Sequence, residues 1–243
     1  MGRITDTVKH LLIINIIFFI ATEQLGMKDF MYNLFGMHHP YNPSFFIWQP
    51  ITHMFMHGSF PHLLFNMFGL WMFGTPLEQM WGKKKFIFFY ISAGLGAALL
   101  QILVYHIDII SVSEILSEKG YSNGEIYQLL YERNSVPDEK RIINGIRSAR
   151  ALMVGASGAL YGILVAFAML FPNVKLMLLF PPIPIKAKYF VPILISIDLF
   201  SGLNPSFSLG PIAHFAHIGG AITGFIMMWY WKKNNFNNRR WDL

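Results

Sequence analysis

Six apolar segments, at about 11–22, 60–80, 86–105, 157–171, 189–203 and 213–231, divide this chain of 243 residues. They constrain the fold more than any other feature. In hydrocarbon every backbone N–H and C=O needs a partner, and a helix supplies those partners within each segment. Only 13% of the residues are charged and 54% are hydrophobic, whereas soluble domains carry roughly 25% charged residues. The expectation is an all-α polytopic membrane protein with one bundle rather than two soluble domains. A full crossing takes roughly 20 residues, so the first, fourth and fifth segments are short. The first can pass for a signal-peptide core behind Arg3 and Lys9. Glu23 and Gln24 follow without a small-x-small cleavage site, which favours an uncleaved anchor.

Lysine and arginine set the orientation. Arg3 and Lys9 precede segment one, and Lys83, Lys84 and Lys85 separate two and three. Lys175, Lys186 and Lys188 separate four and five, and Lys232, Lys233, Arg239 and Arg240 follow six. With six crossings all of these lie on one side, which makes both termini cytoplasmic. The net charge of +6 therefore reads as topology; no aromatic-interleaved basic patch points to nucleic acid. Residues 106–150 mix both signs and read as a partly helical extramembrane insert between helices three and four, with helix at 114–117 and 125–132. The loop at 25–59 holds Phe30, Tyr32, Tyr41, Phe45, Phe46 and Trp48, an interfacial composition. With zero cysteines, disulfides and thiolate metal sites are excluded.

Three polar groups stand in this apolar context. Ser157 opens segment four among Gly155, Gly158 and Gly162, at a helix start where free N–H groups and the helix dipole suit a developing oxyanion. His62 and Asn66 are four apart and share a helical face, with Ser59 as N-cap and Pro61 in the first turn. His217 stands beside Gly219 and Gly220 at the start of segment six. Segments two, four and six enter from the same, non-cytoplasmic side, so the three sites lie at similar depth. A serine needs a base to act as a nucleophile, and His217 can serve. His62, the Asn66 amide and the Ser157 N–H are suitable oxyanion donors. Glu78 and Asp198 lie elsewhere along their helices, so a Ser–His dyad is the simpler expectation. Tyr161, one turn after Ser157, can pack on the His217 ring. Gly158-x-x-x-Gly162 and Gly220-x-x-x-Gly224 would let segments four and six approach closely.

In these motifs the chain resembles the rhomboid family of intramembrane serine proteases: His62-x-x-x-Asn66, Gly155-x-Ser157-Gly158-x-x-Tyr161, Ala216-His217-x-Gly219-Gly220, and Gly74-x-x-x-Glu78-x-x-x-Gly82. The resemblance covers all six segments and leaves 106–150 outside, with 1–243 as one rhomboid-like membrane domain. It implies cleavage in or near a substrate's transmembrane helix. Ser157 would be the nucleophile, His217 the base, and His62 and Asn66 the oxyanion hole, with Tyr161, Gly155, Gly158, Gly219 and Gly220 in support. Its partners would be transmembrane substrates and the lipid bilayer, with no cofactor or metal. A prokaryotic cytoplasmic membrane, with the site open to the non-cytoplasmic side, fits a chain with no long soluble domain or transit peptide. Many relatives carry arginine after the loop tryptophan; here Gln49 follows Trp48.

Blander readings stand beside these. A serine between glycines in a membrane helix is often a packing residue. His53, His57 and His214 read as partners of loops and helix ends, His57 bracing the first outer loop. Glu78 reads as a group satisfying backbone near the end of segment two, and Asp198 as a structural partner. A non-catalytic superfamily member that binds transmembrane helices is a second class of function, although such proteins lose the serine or histidine. A metal-dependent enzyme or transporter built on His53-x-x-x-His57 is a third. The uncharged loop 203–212 would cap the cavity and move with segment five to admit substrate.

Overall fold

The computed structural model describes residues 3–23, 25–132, 137–177, 183–204 and 212–234. Each apolar segment lies in helix. Segment one becomes α1 (Asp6–Glu23). Segment two becomes α4 (Phe60–Gly69), a π turn (Leu70–Gly74) and α5 (Thr75–Trp81). Segment three lies in α6 (Lys83–Glu118), segment four is α9 (Ser157–Leu170), five is α10 (Ala187–Leu203), and six is α11 (His214–Lys233). Two short helices, α2 (Lys28–Phe35) and α3 (Gln49–Thr52), lie in the first loop. The hairpin β1 (Lys175–Met177) and β2 (Pro184–Lys186), antiparallel with Lys175 opposite Lys186, joins α9 to α10. That hairpin has no counterpart in the sequence expectations.

The outward faces are apolar. Ile13, Ile16 and Ile17 of α1, Phe65 of α4, Phe88 and Leu99 of α6, Ile193 and Ile197 of α10, and Phe225 and Ile226 of α11 are all exposed. Large apolar side chains exposed on five helices suit lipid rather than water. Among the described residues α6 is the helix long and apolar enough to cross a membrane by length and composition, and α9 is a shorter apolar helix. The 14 residues of α9 make about 21 Å of helix at 1.5 Å per residue. It is buried along nearly its whole length, at the centre of the bundle.

Small residues set the packing around α9. A Cβ on Gly224 would stand 2.6 Å from the Gly162 Cα, and one on Gly220 would overlap the Gly158 carbonyl. The two Gly-x-x-x-Gly pairs thus bring α9 and α11 into backbone contact. Gly219 turns toward α6 instead, where a Cβ would meet the Gly96 carbonyl at 2.6 Å. Below this layer Phe73, Trp81, Phe89, Phe167, Met228 and Trp231 fill the core.

Glu78 closes the other end of the bundle. Its two carboxylate oxygens accept the N–H groups of Thr7 and Val8 at 3.0 and 2.9 Å. It therefore satisfies the free donors at the start of α1, in keeping with its expected work on backbone. The acid also suits the positive end of that helix.

Residues 106–150 hold more helix than expected. Helix α6 runs on to Glu118, α7 spans Asn123–Tyr131, and α8 spans Lys140–Arg150. The segment expected at 114–117 is the end of α6, and that at 125–132 is α7. A Ser122–Glu125 capping box starts α7, and Arg150 donates to the Leu129 and Leu130 carbonyls at its end, both at 2.8 Å. Ile109, Val112, Leu116, Ile126, Leu129, Ile142 and Ile146 form a core separate from that of the bundle.

Candidate active site

Loop and helix geometry bring the predicted residues together. Ser157 is the first residue of α9, so its N–H is among the helix's free donors. The chain reaches it in extended backbone tied to the first loop. Met37 and Met153 exchange N–H···O bonds of 2.9 Å, and the Gly155 N–H donates to the His53 carbonyl at 2.9 Å. Gly155 then turns with φ +123°, a backbone that side chains avoid. His62 enters near the start of α4, where Ser59 caps its backbone N–H at 3.3 Å and Pro61 occupies the first turn. Both cap expectations hold. Ala216, just before His217, donates its N–H to Gln101 of α6 at 3.0 Å, which fixes the start of α11.

His217 Nε2 lies 2.8 Å from Ser157 Oγ. The Tyr161 ring stacks on the His217 ring, with centroids 4.2 Å apart and planes 11° from parallel, the packing expected of it. A cavity of about 1360 Å³ opens over this pair, and its walls include His62, Asn66, Gly155 and Gly158. Asn66 is buried and its side-chain amide donates one N–H to the His62 carbonyl at 2.9 Å; a second amide N–H remains on the same group. His62 packs edge-on against His57, with centroids 5.0 Å apart. All nine predicted site residues thus fall into two sets: Ser157, His217, Tyr161, His62, Asn66, Gly155 and Gly158 at the cavity or its rings, and Gly219 and Gly220 at helix contacts behind it.

Three expectations are corrected. Asp198 is not remote from the pair: its Oδ1 lies 3.1 Å from His217 Nδ1 and 2.6 Å from His214 Nδ1, and its Oδ2 accepts the Tyr161 hydroxyl. Asp198 and His217 are 19 positions apart in sequence, and helix α10 folds back along α11 to erase that distance. His214 likewise bonds to this carboxylate rather than to a loop or helix end alone. The spacing His53-x-x-x-His57 also fails as a helical face, because α3 ends at Thr52, a 3-10 turn spans His53–Phe55 and Met56 is extended. His53 Nδ1 instead lies 2.9 Å from the Gln49 carbonyl. Among the described residues no three His, Cys, Asp or Glu groups converge as metal ligands would.

Gln49 anchors the first loop. It is fully buried, accepts the His38 N–H at 3.2 Å, and donates to the Asn33 and Ser44 carbonyls, both at 2.9 Å. A neutral amide, with two donors and an acceptor, ties three points of the loop at the position after Trp48. Of the loop 203–212, residues 205–211 lie outside the described residues.

Apolar faces turned outward and a serine–histidine pair in a cavity at the helix ends define a helical membrane protein with a candidate nucleophile. The chain belongs to the rhomboid family: the Rhomboid domain matches residues 45–114 and 120–234. The match begins after α1 and runs through most of 106–150, a stretch the motifs alone set outside the resemblance. Rhomboid proteins are integral membrane proteins, in keeping with the outward apolar faces. The mitochondrial Rhomboid protein 1 of Saccharomyces cerevisiae is 28% identical over 183 residues, which are 74% of this chain and 40% of that protein. Rhomboid protease AarA of Providencia stuartii is 28% identical over 187 residues, 74% of this chain and 54% of the relative. Rhomboid protease GlpG of Salmonella typhi is 31% identical over 88 residues, 35% of this chain and 31% of the relative. The chain thus spans about half or less of these curated relatives' length.

Proposed function

We propose that this chain is an intramembrane serine endopeptidase that cleaves peptide bonds in or near transmembrane helices. The observation that carries the proposal is the 2.8 Å contact between Ser157 Oγ and His217 Nε2. Two of the relatives named above are called rhomboid proteases, which supports the same activity. Ser157 Oγ attacks the scissile carbonyl carbon while its proton passes to His217 Nε2. The carbonyl oxygen becomes an oxyanion, for which the Ser157 N–H, the Asn66 amide and His62 are the donors. Collapse of this intermediate expels the amine, which takes the proton from His217. Water then attacks the acyl-serine ester, again with His217 as base, and frees the carboxylate product.

The six apolar segments cross the bilayer in this reading, with both termini cytoplasmic and the cavity open to the opposite side. Residues 1–243 form one rhomboid-like membrane domain, with 106–150 outside the membrane. A prokaryotic cytoplasmic membrane is the proposed location. A carbonyl inside a helix is already hydrogen-bonded, so a substrate helix must unwind before Ser157 can reach it. Substrates with helix-breaking residues and a small residue at the cut are therefore preferred. A fluorophosphonate probe tests the nucleophile: the purified protein in detergent should be labelled at Ser157, and absence of labelling would favour a non-catalytic, helix-binding role.

A further inference from the structure

We propose that Asp198 is the positioning residue of this site, holding His217 by its Nδ1 so that Nε2 faces Ser157; the proposal rests on the Ser157–His217 reading above. The surroundings of the carboxylate carry it. Asp198 is 6% exposed, and a carboxylate buried at such a position is costly unless its lone pairs are engaged. Here three groups meet it. His217 Nδ1 at 3.1 Å and His214 Nδ1 at 2.6 Å share Oδ1, and the Tyr161 hydroxyl donates to Oδ2.

An ionised carboxylate accepts hydrogen bonds and donates none. A neutral His217 bonded to it must therefore carry its proton on Nδ1. The lone pair is then left on Nε2, the nitrogen 2.8 Å from Ser157 Oγ. That is the tautomer a base needs, because an Nε2–H cannot take the serine proton. When Nε2 gains that proton, the ring becomes a cation between Ser157 and the carboxylate, and the negative charge stabilises it where it forms. Tyr161 serves the same end from a second direction. Its ring lies on one face of His217, while its hydroxyl holds the acid. The ring of His217 is thus fixed at its edge by Asp198 and on its face by Tyr161.

The contact is to the nitrogen opposite the one at Ser157, and this assigns the acid to tautomer and orientation. From the sequence Asp198 reads as a structural partner; which groups it meets depends on how α10 packs against α11.

The test is Asp198→Asn in the full chain, reconstituted with a transmembrane reporter substrate. Asparagine keeps the shape, but its amide can donate to Nδ1 and stabilise the wrong tautomer. The expected result is a fall in kcat of about 10²–10⁴-fold, with KM within about 3-fold, and a matching fall in the rate of fluorophosphonate labelling. Ring 15N shifts of His217 should show Nδ1–H in the wild type and its loss in Asp198→Asn, and Asp198→Glu should restore part of kcat. Wild-type kcat and an unchanged tautomer in Asp198→Asn would overturn the proposal. So would an Nε2–H tautomer in the wild type, a readout that decides the matter even if the variant fails to fold. An unlabelled wild type, or cleavage by Ser157→Ala, would instead overturn the Ser157–His217 reading itself.

Discussion

Gly155 and His62 sit so close that a Cβ on the glycine would stand 2.7 Å from His62 Nε2. The same glycine holds φ +123°, so two requirements meet at one residue. Gly155→Ala forces the histidine aside and strains the backbone just before Ser157. The expected outcome is a loss of kcat of up to about 10²–10³-fold, the scale of a lost oxyanion donor, the role proposed for His62. Comparing it with His62→Ala checks the origin: the double variant should lose little beyond either single one.

Gly220→Val tests the approach of α9 to α11. Its side chain has no room beside the Gly158 carbonyl, and the helices must separate to admit it. Overpacking of this kind costs about 1–3 kcal/mol. Both thermal stability in detergent and fluorophosphonate labelling should fall, because the same separation lengthens the Ser157–His217 contact. Retained labelling with lowered stability would show that the pair is held by other contacts.

Glu78→Ala removes the acceptor for the Thr7 and Val8 N–H groups. Loss of such a cap costs about 0.5–2 kcal/mol. Denaturation monitored in micelles should register that loss, with protease resistance of α1 falling first. Activity per folded molecule should stay within about 2-fold, since Glu78 lies outside the cavity.

His39 and His53, in the first loop, are each held down to about 4 from the ordinary 6.5. Burial is the main cause for both, and the charge of the stacked His106 ring adds to it at His39. Both rings stay neutral in the folded chain, whereas the unfolded chain protonates them below about 6.5. Between pH 6.5 and 4 the unfolded state therefore binds more protons, and stability falls as pH falls through that window. A melting series should show this decline, and His39→Gln should reduce its slope. A slope unchanged in that variant would remove His39 as a source.

Much of this structure is legible from local pattern. Apolar runs place the helices, Ser59 and Pro61 mark the start of α4, and the two Gly-x-x-x-Gly pairs foretell the contact of α9 with α11. Those signals act within one helix or one face. Asp198 and Gln101 escape because their partners, His217 and Ala216, lie on other helices, and the rotation of α10 and α6 that aims them is set by packing. The π turn at Leu70–Gly74 escapes as well, although Gly74, Thr75 and Pro76 interrupt the apolar run there. At Gln49 the departure from arginine is visible in the sequence, but its three loop bonds depend on where the loop folds back.

Cleavage of a transmembrane substrate by the protein reconstituted in liposomes, wild type against Ser157→Ala, tests the central claim most directly. Loss of the nucleophile should reduce cleavage to background while the variant keeps its melting temperature and its ability to bind substrate. Persistent cleavage by Ser157→Ala at the wild-type rate would contradict the assignment of Ser157 and, with it, the serine mechanism.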